Sequence, residues 1–323
     1  LKNAQNSILI EIRTTLAKIS PLNRLFIGYS GGVDSHVLLH ACAVLPEFKS
    51  KICAVYIHHG LQKEADDWIC HCEKIAKNLG VEFLTFRVDA HSKRGESPEE
   101  AARNARYEVL KNLLTENDVL LIAQHREDQL ETVLLQLFRG SGLKGLAGMP
   151  QKMVFGKGQL LRPLLDVGKN EITAYALENQ LNWIEDPSNQ STIYDRNFLR
   201  QEIIPTLKQR WQSLDKTVSR TATHCAQAQN LISEIAQIEL SHVLNEDNSL
   251  HIPHLLTYSQ TKQQLILREW FAYLNLRMPS QDFLQRILNE VIFAAIDRHP
   301  ILQKNGVTVT RQKLKLVLTQ TNQ

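Results

Sequence analysis

Six consecutive residues, Ser30-Gly31-Gly32-Val33-Asp34-Ser35, carry the densest chemistry in the chain. They follow a run that reads as a strand and precede an apolar stretch, His36 to Leu45, that reads as a helix. A glycine-rich turn between a strand and a helix N-terminus gathers backbone N–H groups and the positive end of the helix dipole, and so binds anions such as phosphate. Gly31 and Gly32 let the backbone approach a phosphate without an intervening Cβ, and Ser30 and Ser35 add hydroxyl donors. No lysine stands in the turn, which separates it from the loop that grips the terminal phosphates of common nucleoside triphosphatases. Asp34 alone would repel phosphate. Its presence is explained by a Mg2+ ion held jointly by the carboxylate and phosphate oxygens.

A second cluster runs from Ala123 to Thr132 and holds His125, Glu127, Asp128 and Glu131. It starts at the carboxyl end of an expected strand, where open α/β sheets place their ligands. Asp128 and Glu131 are three residues apart, so the following helix presents both carboxylates on one face. Two carboxylates and a histidine beside a nucleotide site suit a substrate bearing an ammonium group: one carboxylate holds the cation, and His125 or a carboxylate takes a proton from the attacking amine. Glu127 reads instead as an acidic helix start favoured by the dipole.

The elements that must position these groups form an α/β pattern over the first two hundred residues. Strands are expected at Arg24 to Tyr29, Ile52 to His58, Glu82 to Val88 and Asp118 to Ala123, with crossover helices near 35–45, 64–79 and 98–116. The third helix opens on Ser97-Pro98-Glu99-Glu100, a capping serine, a first-turn proline and a glutamate three residues after the cap. Gly140 to Pro150 reads as a loop. The expected architecture is an open parallel sheet flanked by helices over residues 1–210. A second, mainly helical domain is expected over 211–323, with helices near 213–240, 260–274 and 281–296 and a hairpin at Asn305-Gly306.

Composition narrows the class. At 323 residues and 43% hydrophobic content the chain can bury a sizeable core. No apolar run approaches the roughly 20 residues of a bilayer span, and no charged-then-apolar leader opens the sequence, so the expected location is the cytoplasm. Five cysteines without a Cys-x-x-Cys pair indicate neither a disulfide framework nor a four-thiolate metal site, and Cys70-His71-Cys72 reads as helix packing rather than zinc. Residues 1–195 carry a net −2 and residues 196–323 a net +5, which places a small basic excess in the second half.

The six-residue turn resembles the pyrophosphate loop (PP-loop) of N-type ATP pyrophosphatases, which implies AMP and pyrophosphate as products. With Val55 to Leu61, Ala102 to Tyr107, Leu137 to Leu146, Arg162 to Leu165, Trp183 to Asn189 and Arg196 to Arg200, the series over residues 24 to about 207 resembles the tRNA(Ile)-lysidine synthetase family. That resemblance implies ATP on Ser30 to Ser35, with Mg2+ on Asp34, and free L-lysine on Asp128 and Glu131. It implies Arg103 and Arg106 as contacts to phosphate and developing adenylate charge, with His125 a catalytic candidate beside the nucleotide site, and Arg139, Arg196 and Arg200 as contacts to the RNA. The reaction implied joins lysine to C2 of the wobble cytidine of tRNA(Ile) with a CAU anticodon, through an adenylated tRNA. No membrane and no protein partner are implied, and a homodimer is left open. Glu127 departs from the aspartate of many relatives, with its charge kept. Longer relatives carry a further C-terminal domain for which these residues show no counterpart, which leaves open whether the whole acceptor arm is recognised. The rival expectations are another PP-loop enzyme, either an ammonia-using amidotransferase or a tRNA thiolase, and an RNA-binding module with a vestigial nucleotide site. The first lacks a Gly-x-Cys-x-Gly nucleophile here, and thiolases built on paired Cys-x-x-Cys motifs do not match these cysteines.

Overall fold

The computed structural model describes residues 2–58, 65–88, 98–187, 191–295 and 298–320. Of the motifs above, His59, Gly60, Leu61, the expected cap Ser97, Ser188 and Asn189 lie outside the described residues, as do the side chains of Glu99 and Glu100. The chain divides into two compact units, residues 1–226 and 227–323, against an expected boundary at 210/211.

The first unit begins with α1 (Lys2–Ala17), β1 (Leu25–Gly28), α2 (Val33–Ala43), α3 (Pro46–Lys49), β2 (Ile52–His58), α4 (Ala65–Leu79) and β3 (Glu82–Arg87). It continues with α5 (Pro98–Leu113), β4 (Val119–Leu121), α6 (Arg126–Phe138), α7 (Leu143–Leu146), β5 (Lys152–Phe155), β6 (Gly158–Leu161) and α8 (Lys169–Glu178). It closes with α9 (Asp195–Phe198), a π-helical turn over Leu199–Ile203, α10 (Ile204–Arg210) and the start of α11 (Leu214–Val243). The sheet order is β3-β2-β1-β4-β6-β5, and all neighbours are parallel except the edge strand β5. Sequence reading anticipates the four parallel strands β1 to β4 but neither α1 nor the β5–β6 hairpin. The expected loop 140–150 contains the helical turn α7.

Alternation decides which side each strand residue faces. Leu25, Ile27 and Tyr29 join Ile52, Ala54 and Tyr56 in a core with Ile8, Ile12 and Leu16 of α1 and the buried face of α2. Phe26 joins Cys53, Val55 and Ile57 in the opposite core, with Leu110 of α5. Chain connection reverses direction at β1, which pairs with β2 on one side and β4 on the other, Leu25 facing both Ile52 and Val119. Such a switch point opens a crevice at the strands' carboxyl ends, and both chemical clusters leave the sheet there.

The second unit holds the rest of α11, β7 (Leu250–His251), α12 (Ile252–Leu255), α13 (Gln260–Tyr273), α14 (Gln281–Arg286) and a π-helical stretch over Ile287–Ile292. It then adds β8 (Ile301–Lys304), β9 (Val307–Gln312) and β10 (Lys315–Gln320). Trp270, Phe271, Phe283 and Val309 centre its core. The expected hairpin is β8–β9: Asn305 and Gly306 both have positive φ, 53° and 75°, as a two-residue primed turn requires. A four-stranded antiparallel sheet, β7-β10-β9-β8, accompanies the helices where sequence reading expects only that hairpin. Among the described residues no helix is long and apolar enough to cross a membrane.

Candidate active site

The loop after β1 turns on Gly31, whose φ of +83° is a backbone state that side-chain-bearing residues rarely adopt. The Gly31 carbonyl accepts a hydrogen bond from the Ile184 N–H at 2.9 Å, so the Trp183–Ile184 segment braces the loop from beneath. A Cβ on Gly31 would sit 2.7 Å from Ile184 Cδ1 and 2.9 Å from Cys72 Sγ. Gly31→Ala is therefore expected to cost roughly 2–5 kcal/mol from backbone strain and overpacking together, read as a lowered thermal midpoint. Gly32 caps α2 with φ −70°, so its glycine serves access rather than conformation. The two serine hydroxyls lie 3.1 Å apart, and Ser35 Oγ donates to the Gly32 carbonyl at 3.0 Å. Ser35 is buried and shapes the loop, while Ser30 is exposed beside the cleft. The N–H groups of the first turn of α2, from Val33 on, lack helical acceptors and are free for an anion.

A cleft of about 470 Å3 opens over this loop. Gly28, Tyr29, Asp34, Arg106, Asp128 and Arg200 are among the residues that line it, with Trp68 and Gln124. Gln124 is held by the buried Arg162, whose Nε donates to Gln124 Oε1 at 2.5 Å and whose Nη1 donates to the Pro150 carbonyl at 2.8 Å.

His125 is the N-cap of α6 and is 4% exposed. Its Nε2 lies 3.7 Å from Asp34 Oδ2 and 3.5 Å from Asp128 Oδ2, and its Nδ1 lies 3.4 Å from Glu127 Oε2. Burial is the strongest single influence on its pKa and opposes charging, yet the Glu127, Asp128 and Asp34 carboxylates together outweigh it and raise the value. Asp128 Oδ2 accepts from the His125 N–H at 3.0 Å, so this carboxylate also caps its own helix. Glu131 is 1% exposed, and burial, only partly offset by Arg200, raises its pKa.

Arg200 reaches across from the turn after α9. Its Nε lies 2.6 Å from Glu131 Oε1 and its Nη2 2.9 Å from Oε2, and the same Nη2 is 3.1 Å from Asp128 Oδ1. One guanidinium thus bridges both carboxylates. Arg196 joins more loosely, 3.6 Å from Glu131 Oε2.

Other residues singled out in the sequence are not brought together here. Arg139 is exposed at the C-cap of α6, the far end of that helix from His125. Arg103 is exposed and stacks over Tyr107 at 4.8 Å, whereas Arg106, one turn on, lines the cleft.

Two family profiles match the chain: one described as a PP-loop domain over residues 5–207 and one described as a TilS substrate binding domain over 250–316. A tRNA(Ile)-lysidine synthase of Proteus mirabilis is 43% identical over 304 residues, which cover 93% of this chain and 69% of that protein. Its counterpart from Photorhabdus laumondii is 44% identical over 308 residues, 94% of this chain and 70% of that protein. The chain belongs to the tRNA(Ile)-lysidine synthase family. In fold alone, the chain is similar to a U34-tRNA thiolase from Methanococcus maripaludis, at a TM-score of 0.56 and 19% identity over 69% of this chain and 80% of that one.

In this tRNA(Ile)-lysidine synthase family member, Lys169 and Lys208 reach the site with no local signal in the sequence, and Glu127 does more there than its local signal suggests. Glu127, read as a surface helix start, is 19% exposed at its side chain and accepts from the Lys169 N–H at 2.9 Å, with Lys208 Nζ 3.2 Å away. Burial pushes its pKa upward most strongly, but His125, the Lys169 N–H and Lys208 overcome it and bring the value down to about 2. A carboxylate depressed below its unfolded value stabilises the fold above the unfolded pKa, and that stabilisation is lost as pH falls from about 4.5 toward about 2. Urea unfolding at pH 5 and pH 2.5 is expected to show Glu127→Gln losing roughly 2 kcal/mol less stability than the wild type across that window. Lys208 lies 81 residues from its Glu127 partner. Lys169 lies 135 residues from its own, and its ammonium sits 2.5 Å from Asp34 Oδ1.

Proposed function

We propose that this chain catalyses the ATP-dependent joining of free L-lysine to C2 of the wobble cytidine in tRNA(Ile) with a CAU anticodon, giving lysidine, AMP and pyrophosphate. The observation that carries this reading is the Arg200 bridge: Arg200 pairs with both Asp128 and Glu131, and Arg200 and Asp128 line the same cleft as the lysine-free phosphate loop. A seat that holds a guanidinium has the charge and the acceptors to hold the ammonium of lysine.

The cytidine C2 oxygen is a poor leaving group and must be activated before an amine can replace it. In the first step the C2 oxygen bonds to the α-phosphorus of ATP, the α–β bridging bond breaks, and its electron pair leaves on pyrophosphate. The α2 N-terminus and the loop N–H groups around Gly32 are assigned to the departing charge, and Arg106, which lines the same cleft, to the α-phosphate. Asp34 supplies a hard oxygen donor facing the cleft, which fits Mg2+, an ion that completes its shell with phosphate oxygens and water. When bound, Mg2+ neutralises charge on the transferring phosphates.

In the second step the neutral ε-amine of lysine bonds to C2 and AMP leaves with the C–O electron pair. Lysine enters the seat as Arg200 releases it. His125, which lies among the carboxylates of Asp34, Glu127 and Asp128, is the candidate to take the amine's proton, and those carboxylates are the alternative. Arg196 and Arg139 are assigned to the RNA, as is Arg200 once freed, and Arg103 to adenylate or phosphate charge. Residues 1–210 are assigned to catalysis and 211–323 to reading the tRNA, a reaction among cytoplasmic substrates.

Transfer of radiolabelled lysine tests the reading. A tRNA with a CAU anticodon is expected to become labelled in the presence of ATP, and the same body with another anticodon is not. Labelling of neither, or of both alike, would contradict it.

A further inference from the structure

The phosphate loop has no lysine of its own, but the fold delivers one from elsewhere. Lys169, the first residue of α8, places its ammonium 2.5 Å from Asp34 Oδ1. Among the described residues it is the lysine or arginine that reaches Asp34 within ion-pair distance. The main chain from Asp166 to Lys169 is held at three points. The Lys169 N–H donates to Glu127 Oε2 at 2.9 Å, the Arg126 N–H donates to the Val167 carbonyl at 3.0 Å, and Arg126 Nε donates to the Asp166 carbonyl at 3.1 Å. Arg126 is itself paired with the buried Asp215 at 3.3 Å. The side chain beyond this anchored backbone is 37% exposed. An isolated pair this open contributes little to stability, so stability alone does not account for so firm an anchor.

Of the other basic residues around the cleft, Arg200 bridges Asp128 and Glu131, Arg106 lines the wall, and His125 lies among three carboxylates. If Asp34 holds a metal ion in the loaded site, the ammonium on it must go elsewhere, and the nearest new anion is the phosphate chain itself.

We propose that Lys169 is a further catalytic residue: parked on Asp34 in the nucleotide-free protein, its ammonium transfers to the β-phosphate side of bound ATP and donates a hydrogen bond to the oxygen that leaves with pyrophosphate. The inference rests on the phosphate loop being the ATP site. No proton changes hands; the lysine stays charged and exchanges one anionic acceptor for another. It supplies from α8 the cation that the loop of common nucleoside triphosphatases carries within its own sequence.

The test compares Lys169→Ala and Lys169→Arg with the wild-type protein. Calorimetry measures affinity for an ATP analogue with a methylene between its α and β phosphates, and electron paramagnetic resonance measures Mn2+ binding to the nucleotide-free protein. Lys169→Ala is expected to weaken analogue binding by about 10–100-fold. It is expected at the same time to tighten Mn2+ binding severalfold, because Asp34 loses its competing cation. Lys169→Arg should stay near the wild type in both, and the thermal midpoint of Lys169→Ala should move little. A purely structural lysine would not drive nucleotide and metal affinity in opposite directions. Unchanged analogue affinity in Lys169→Ala, or a parallel loss of both affinities, would overturn the assignment while leaving the ATP site standing. Failure of the wild-type protein itself to bind the analogue would remove the ATP site and the assignment together.

Discussion

Asp34→Asn is expected to slow pyrophosphate release by about a thousandfold, equivalent to roughly 4 kcal/mol of lost transition-state stabilisation, with little change in fold stability. The substitution keeps the shape of the side chain and one carbonyl acceptor for Lys169. It removes the full negative charge that would share a divalent ion with the phosphates. Asp34 is 31% exposed at its side chain and belongs to neither hydrophobic core, so the folded state has little stake in that charge. The effect should therefore appear in the chemistry and in the Mg2+ concentration needed for half-maximal rate. Single-turnover assays at saturating ATP, titrated with Mg2+, separate the two. A variant that turns over as fast as the wild type at every Mg2+ concentration would remove Asp34 from the metal role.

The second large effect is expected at Glu131, where lysine affinity should fall by about one to two factors of ten in Glu131→Gln, roughly 1.5–3 kcal/mol. Glutamine keeps the volume in a position that is 1% exposed, whereas alanine would also leave Arg200 without its bidentate partner and unsettle the turn after α9. Formation of the adenylated tRNA should survive much better than lysine transfer, because in the proposed order the C2 oxygen attacks ATP before lysine is needed. The comparison to make is the lysine concentration dependence of product formation against the rate of pyrophosphate release without lysine. Loss of pyrophosphate release with an unaltered lysine dependence would place Glu131 in the first step instead.

The parts of this fold that sequence reveals are those whose signals are local. The runs around Phe26, Val55 and Leu120 are continuously apolar, as strands buried on both faces must be, and they stand out against the amphipathic helices between them. β5 is an edge strand whose Lys152, Met153 and Val154 are exposed, so its hydrophobic pattern is too weak to separate it from a loop. α1 shows Ile8, Ile12 and Leu16 four residues apart, a stripe that sequence analysis assigns to no element although the packing uses all three. The small strands β7 and β10 pair across a separation that no local pattern encodes.

The site divides in the same way. The phosphate loop and the Asp128–Glu131 pair are contiguous in sequence and readable there. Lys169, Lys208 and the bridging of two carboxylates by Arg200 depend on distances that only folding sets. Glu127 shows the reverse error: a residue well explained by its helix dipole turns out to fix the main chain of α8 and to hold a lysine from α10. Its local signal was real and incomplete.

The central claim is that ATP is split between its α and β phosphates to activate the tRNA rather than the amino acid. It is tested most directly by incubating the protein with α-phosphate-labelled ATP, Mg2+ and tRNA bearing a CAU anticodon, in the absence of lysine. Label is expected to accumulate on the RNA with an equal yield of pyrophosphate, and to leave as AMP when lysine is added. Label found on lysine instead, or ADP and orthophosphate as the products, would contradict the account.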